Sequence, residues 1–266
     1  MADRQTGTAL ITGASSGIGR EFALLLAARG LDIVITARRQ DRLDALATEV
    51  RDAHQVDVQV IAHDLGLPGA GEALYAQIAE AGKNIAVLIN NAGFGVYGNA
   101  WEMDHQRVKT MLELNMMSLT ALTQLVCADM VKRGHGRVLQ VSSIGAFQPS
   151  PLYAAYSATK AYVLFYSQAL NYELKGTGVT VTTLCPGLTE TEFHQVADHL
   201  KPKSMDKLMM SARKVAAIGL KAMDKGKAVV TPGVMNKLSQ WTVGAMPRSW
   251  ATSVAGRMMK SKREDT

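Results

Sequence analysis

Two cysteines in 266 residues are too few for a disulfide framework, and neither Cys127 nor Cys185 has a CxxC partner or a histidine at metal-ligand spacing. A small disulfide-stapled secreted domain is therefore excluded, no metal site is expected, and a reducing, cytoplasmic location fits. Aromatic residues are also scarce, at 6%. Beyond residue 200 the only aromatic rings are Trp241 and Trp250, so the basic tail lacks the interleaved stacking platforms of a nucleic-acid binder. No run reaches the ~18 to 20 apolar residues of a membrane span. Residues 1–7 lack a basic segment followed by an apolar one, which leads us to expect a soluble chain with no signal peptide.

What is present is an apolar fraction of 47% with 20% charged residues, enough for a substantial core in one domain. The net charge of +6 is unevenly spread. Residues 1–200 hold 15 Lys/Arg against 19 Asp/Glu, whereas residues 201–266 hold 14 against 4, together with 8 of the 14 methionines. The basic character belongs to the tail, and the one compositional break falls near Pro202.

Short β-branched runs alternate with longer helical patterns, the mark of repeated βαβ units and a mostly parallel sheet. Strands are predicted at Thr8–Thr12, Asp32–Thr36, Val56–Ala62, Ile85–Asn90, Arg137–Val141, Val179–Cys185 and Lys227–Val230. Helices are predicted at Ile18–Arg29, Gln40–His54, Ala70–Ala81, Asp104–Arg133 and Leu152–Lys175, four of them followed by Gly30, Gly82, Gly134 and Gly176. Seven strands and five helices predict a doubly wound α/β domain over residues 1–266, with 190–225 as an insertion and 233–266 as a C-terminal extension.

The first strand runs into Thr12-Gly13-Ala14-Ser15-Ser16-Gly17-Ile18-Gly19. Gly13 permits a sharp turn, Gly17 permits backbone to approach a pyrophosphate, and Gly19 permits close helix–sheet packing, while the helix N-terminus offers free N–H groups to an anion. The spacing is neither a literal GxGxxG nor an ATP-binding P-loop. A tight βα turn wants glycine whether or not a ligand binds. The second strand ends at Arg38 and Arg39 in place of the Asp or Glu that holds a ribose 2′-hydroxyl, which favours a 2′-phosphate. Arg38, Arg39 and Arg42 could instead solvate a helix start, although cations there oppose the helix dipole.

Further motifs follow in order: Asn90-Asn91-Ala92-Gly93 closing the fourth strand, Asn115 in the long helix, Ser142-Ser143 ending the fifth strand, Tyr156-Ser157-Ala158-Thr159-Lys160, and Pro186-Gly187-Leu188-Thr189-Glu190-Thr191. Over residues 7–191 the sequence resembles the short-chain dehydrogenase/reductase family, with its TGxxxGxG, NNAG, YxxxK and PGxxxT motifs. The tail looks like that of the bacterial DltE-type or ketone/steroid-reductase-like branch. The resemblance implies a Rossmann fold binding NADP(H), with Tyr156 as general acid in reduction and general base in oxidation. It implies that Ser143 donates to the substrate oxygen, that Asn115 holds a water, and that Lys160 binds the nicotinamide ribose. By the same mapping Asp64 and Leu65 meet the adenine, Asn91, Ala92 and Gly93 the ribose, Pro186, Gly187, Leu188 and Thr189 the carboxamide, and Thr191 the carboxamide or phosphate. Asp64 could equally cap the next helix.

Tyr156 and Lys160, four apart, share one helix face, and a nearby ammonium is expected to draw the phenol pKa down from ~10. Singly, each site residue has a structural explanation, such as a snorkelling lysine or a turn serine. The segments Phe94–Tyr97, Ile144–Phe147, Pro149, Leu152, Tyr153 and Val196–Met210 are expected to line a substrate pocket for a hydrophobic ketone or aldehyde. A catalytically silent NADP-sensing protein on the same fold is the alternative. Val234–Lys262, broken by Pro247, suits two amphipathic helices. They could form a core helix with a basic face, cover the pocket, pack on a second subunit, or contact an acidic carrier, a CoA thioester substrate or a membrane surface. A homodimer or homotetramer through the helices carrying Asn115 and Tyr156 is implied by resemblance.

Overall fold

The computed structural model describes residues 7–197 and 209–264. In chain order the elements are β1 (Thr8–Thr12), α1 (Gly17–Ala27), β2 (Asp32–Ala37), α2 (Gln40–His54), β3 (Val58–Ala62), α3 (Ala70–Glu80), β4 (Ile85–Asn90) and α4 (His105–Leu112). A π-helical segment, Glu113–Ser118, leads into α5 (Leu119–Arg133). There follow β5 (Gly136–Val141), a 3-10 turn at Ile144–Ala146, α6 (Ala154–Glu173), β6 (Val179–Leu184), β7 (Thr189–Glu190) and α7 (Phe193–Val196). The described chain ends with β8 (Met210–Ser211), α8 (Ala212–Asp224), β9 (Val229–Val230), α9 (Val234–Ala245) and α10 (Arg248–Glu264).

Seven strands form one sheet in the order β3-β2-β1-β4-β5-β6-β9, every pair parallel. Burial on both faces explains the unbroken apolar runs. In β1, Ala9 and Ile11 point into a cluster with Phe22, Leu26 and Leu43, while Leu10 points into the opposite cluster with Leu74, Leu122 and Val126. Strand order reverses between β1 and β4, where an open α/β sheet leaves a crevice at the carboxyl ends of its strands.

Two elements differ from expectation for identifiable reasons. Leu152 has φ 65°, a left-handed conformation that excludes it from α6, and its carbonyl accepts from Gly98 N at 2.9 Å. The long helix widens into a π turn at Glu113–Ser118, fixed on one side by Ser118 Oγ donating to Leu65 O at 2.7 Å. That continuous stretch, His105–Arg133, is long and apolar enough to span a bilayer, contrary to the reading of apolar runs. Its apolar residues Leu122, Val126 and Met130 pack into the core against Val138 and Val181, so it is a core helix.

The stretch read as an insertion is in large part core. Val215, Ala216, Leu220 and Met223 of α8 are buried against α1, and a Cβ on Gly219 would sit 2.9 Å from Leu184 and 3.4 Å from Phe22. α8 belongs to the crossover that returns the chain from β6 to its parallel neighbour β9, and truncating its neighbour Phe22 to Ala costs about 3–5 kcal/mol. Residues 198–208, within the segment expected to contribute to the pocket, lie outside the described residues.

Candidate active site

The carboxyl ends of β1, β4, β5 and β6 open into a cavity of about 680 Å³. At its floor, Gly13 (φ 68°) turns the chain off β1, and Gly13 N donates to Thr36 O at 2.8 Å. Gly19 makes no wall: a Cβ there would lie 2.3 Å from Gly13 O, so its role is to let α1 close on the turn. Ser16 precedes α1 without a side-chain cap, and the first turn carries no acid, which leaves the helix N-terminus open to an anion. Ser15, Ser16, Gly17 and Ile18 line the cavity beside it.

Arg38 and Arg39 border the same end. Arg39 donates to Ser15 Oγ at 3.0 Å, to Ser16 Oγ at 3.0 Å and to Glu192 at 2.8 Å, while Arg42 donates to the other Glu192 oxygen at 2.5 Å. The two guanidinium groups hold the Glu192 carboxyl down at about 2. Glu192 escaped the sequence reading; its position right after the PGxxxT motif was the available signal.

Asn91 and Thr12 tie the strand ends together. Asn91 Nδ2 donates to Thr12 O at 3.0 Å and Gly13 O at 3.1 Å, and Thr12 Oγ1 accepts from Asn91 N and Ala92 N at 3.0 Å each. Asn91, Ala92 and Gly93 line the cavity, as do Asp64 and the nearly buried Leu65. Asp64 Oδ1 accepts from Gly66 N at 2.9 Å and closes a local turn; it does not cap the next helix, since α3 has Gly69 at its N-cap with no side-chain capping bond.

At the other end, Ser143, Tyr156 and Lys160 meet. The Ser143 hydroxyl accepts from Gly145 N at 3.1 Å and is hydrogen-bonded to the Tyr156 phenol. Lys160, 4% exposed, donates to Val141 O at 2.9 Å, and its Nζ lies 5.9 Å from the centre of the Tyr156 ring. Ser142 Oγ anchors the same residue by donating to Lys160 O at 2.7 Å. Burial pushes Tyr156 up to about 12 and Lys160 down to about 8. The expected lowering of the phenol is thus reversed: desolvation outweighs every favourable contact, and the only one acting on it is the Ser143 hydrogen bond.

Asn115, in the π segment, does not line the cavity. Its amide is saturated by protein, accepting from Phe94 N at 3.2 Å and donating to Phe94 O at 3.0 Å and Thr159 Oγ1 at 3.1 Å. Gly93 passes between Asn115 and Lys160, since a Cβ there would lie 3.0 Å from the former's Oδ1 and 3.2 Å from the latter's Nζ.

Pro186, Gly187, Leu188, Thr189 and Thr191 form the wall opposite, with Thr191 packed on Gly17. Phe94, Ile144, Phe147, Tyr153 and Phe193 supply an apolar lining. Tyr97 and Val96 stand back from it, Tyr97 with its ring 5.1 Å from that of Tyr153 and Val96 in a core cluster with Met111. The tail adds a roof, with Gln240, Val243, Met246 and Ala251 among its residues.

A crevice of this shape, an anion-receptive helix at one end and a Tyr–Ser pair backed by a buried lysine at the other, defines a Rossmann-type oxidoreductase. The chain belongs to the short chain dehydrogenase family, whose model matches residues 7–201. It is 32% identical over 264 residues to the very-long-chain 3-oxoacyl-CoA reductase of Bos taurus, covering 96% of this chain and 83% of that one. Among solved structures it is similar to a short-chain dehydrogenase from Sphingobium yanoikuyae in complex with NADPH, with TM-score 0.78, 32% identity and coverage of 91% of this chain and 96% of that one. It is likewise similar to the bulky-bulky ketone specific alcohol dehydrogenase from Comamonas testosteroni, with TM-score 0.76, 33% identity and coverage of 90% and 93%.

Proposed function

We propose that the protein is an NADPH-dependent reductase of bulky, hydrophobic ketones or aldehydes. The carrying observation is the position of Tyr156 and Ser143 at the apolar wall made by Phe94, Ile144, Phe147, Tyr153 and Phe193. The substrate words in the names of the Bos taurus and Comamonas testosteroni relatives agree with such a wall.

The residues fit the coenzyme. The uncapped α1 N-terminus suits a pyrophosphate, Arg38 and Arg39 suit a 2′-phosphate, and Lys160 faces the Gly93 backbone beside which a nicotinamide ribose would lie. When bound, the reduced nicotinamide supplies the hydride. Tyr156 holds its proton at neutral pH, as its position at about 12 requires, and delivers it from the phenol oxygen to the developing alkoxide. Ser143 donates to the same oxygen and stabilises its growing charge. Lys160 places a positive charge beneath the ring, and the Asn115 clamp holds Phe94 and α6 in register around it.

Exposed Phe165 and Tyr172 on α6, with Met117 beside α5, support a homo-oligomer through those helices. The function is tested by following loss of reduced nicotinamide with ketones, aldehydes and acyl thioesters. Turnover is expected with bulky apolar carbonyls and NADPH; preference for NADH overturns the roles of Arg38 and Arg39, and no turnover with any carbonyl overturns the reading.

A further inference from the structure

Helix α9 is built with its polarity reversed. Its inward row is Asn236, Gln240 and Val243: Asn236 Nδ2 donates to Pro232 O at 2.7 Å and abuts Gly187, and Gln240 Oε1 accepts from Thr231 Oγ1 at 2.8 Å. Its outward row, at positions i, i+4, i+7 and i+11, is Val234, Leu238, Trp241 and Ala245. Val234 is 81% exposed, Leu238 56% and Trp241 82%, and Trp250 at the start of α10 adds a second large ring at 67%. A helix in water places such a row against the core. A contiguous apolar face on a soluble chain marks an interaction surface.

Charge selects the occupant. From Lys225 to Arg263 the sequence carries eight Lys/Arg and no Asp or Glu, and exposed Lys237, Arg248 and Arg257 flank the apolar row. A second copy docking here would bring the same unbalanced positive charge against it. An anionic lipid surface complements both features, taking the apolar row into the headgroup boundary, the indole rings at the interface and the cations among the phosphates.

We propose that α9 and the first turns of α10 dock the protein on an anionic membrane surface. The inner faces of these helices roof the cavity, so docking sets that roof against the bilayer. An apolar substrate dissolved in lipid then reaches the cavity without crossing water. The docking itself does not depend on the reductase reading.

The test is co-sedimentation of the full chain with vesicles of phosphatidylcholine alone or with phosphatidylglycerol, reading tryptophan emission in parallel. Binding to the anionic vesicles is expected, at least ten-fold tighter than to phosphatidylcholine, weakened by salt and accompanied by a blue shift. The double variant Leu238→Ser/Trp241→Ser loses at least ten-fold in binding while keeping turnover of a water-soluble carbonyl. Lys237→Glu/Arg248→Glu weakens binding to anionic vesicles alone. The proposal is overturned by absence of vesicle binding, by binding indifferent to salt or to both double variants, or by a self-association that Leu238→Ser/Trp241→Ser dissolves in a protein that ignores vesicles. Capture by an acidic carrier protein without vesicle binding also overturns it and assigns the face to that protein.

Discussion

At one end of the cavity, Arg39 and Arg42 share the Glu192 carboxylate while remaining more than a third exposed; at the other, Lys160 is buried with a carbonyl oxygen as its hydrogen-bond partner. Partly solvated pairs contribute little to folding, because water screens them and long side chains lose entropy in forming them. A buried ammonium carries a desolvation cost that no carboxylate here offsets, as its fall to about 8 records. The first end is arranged for recognition and the second for chemistry, and shifts of this kind concentrate where proton transfer occurs.

The contrast breaks most sharply at Tyr156. Tyr156→Phe keeps the ring packed 5.6 Å from Tyr153 and 5.2 Å from Phe193 and removes only the phenol oxygen. Turnover is expected to fall about 10²- to 10⁴-fold. Coenzyme affinity, followed by fluorescence titration, stays within about two-fold of wild type. Turnover within ten-fold of wild type would remove Tyr156 from its assigned role.

Lys160 gives the next largest effect, in stability. Its folded pKa of about 8 lies below the ordinary 10.5. Below pH 8 both states hold the proton and the slope is zero; between 8 and 10.5 the unfolded state holds more protons, so stability rises with pH. The gain is on the order of 3 kcal/mol. Tyr156 works the other way above pH 10, where the unfolded phenol ionises first. Denaturant midpoints of the coenzyme-free protein and of Lys160→Met, compared across pH 7 to 10.5, should diverge only above about pH 8. Parallel curves would mean that the ammonium is solvated.

Much of this frame was legible in advance because backbone geometry dictates residue type. The Gly13 turn, the parallel strands with both faces apolar, and the two tail helices split by Pro247 all leave compositional marks. Where a side chain's partner sits far along the chain, no such mark exists. The Arg39–Glu192 pair spans 153 positions, and the Asn115 clamp depends on a π turn that an ordinary helical pattern conceals. The direction of the Tyr156 shift was missed because proximity of a lysine is visible in a sequence and desolvation is not. α8 lacks such a mark because the compositional break near Pro202 sets its stretch apart from the βαβ pattern that precedes it.

Removing the Arg39 guanidinium tests the recognition end. A charge-assisted contact is worth about 1.5–3 kcal/mol, so Arg39→Ala should raise the KM for NADPH roughly ten- to hundred-fold and leave that for NADH nearly unchanged. Equal losses with both coenzymes would make Arg39 a structural partner of Ser15 and Ser16 instead.

Glu192 offers the smallest and most discriminating effect. Its carboxylate occupies the guanidinium edge that a 2′-phosphate would use and repels that phosphate, so Glu192→Gln should lower the KM for NADPH a few-fold and leave NADH unaffected. The pH dependence separates competition from positioning. With its pKa depressed to about 2, Glu192 stays ionised throughout any working range, and its pairing is lost only as pH falls from the ordinary 4.5 toward 2. A phosphate monoester, in contrast, gives up its second charge near pH ~6. The advantage of the variant should therefore hold steady from pH 7 to 9 and shrink as pH falls below 6, because the repulsion weakens from the ligand's side. A rise in KM at every pH would show instead that Glu192 holds Arg39 in place for the phosphate.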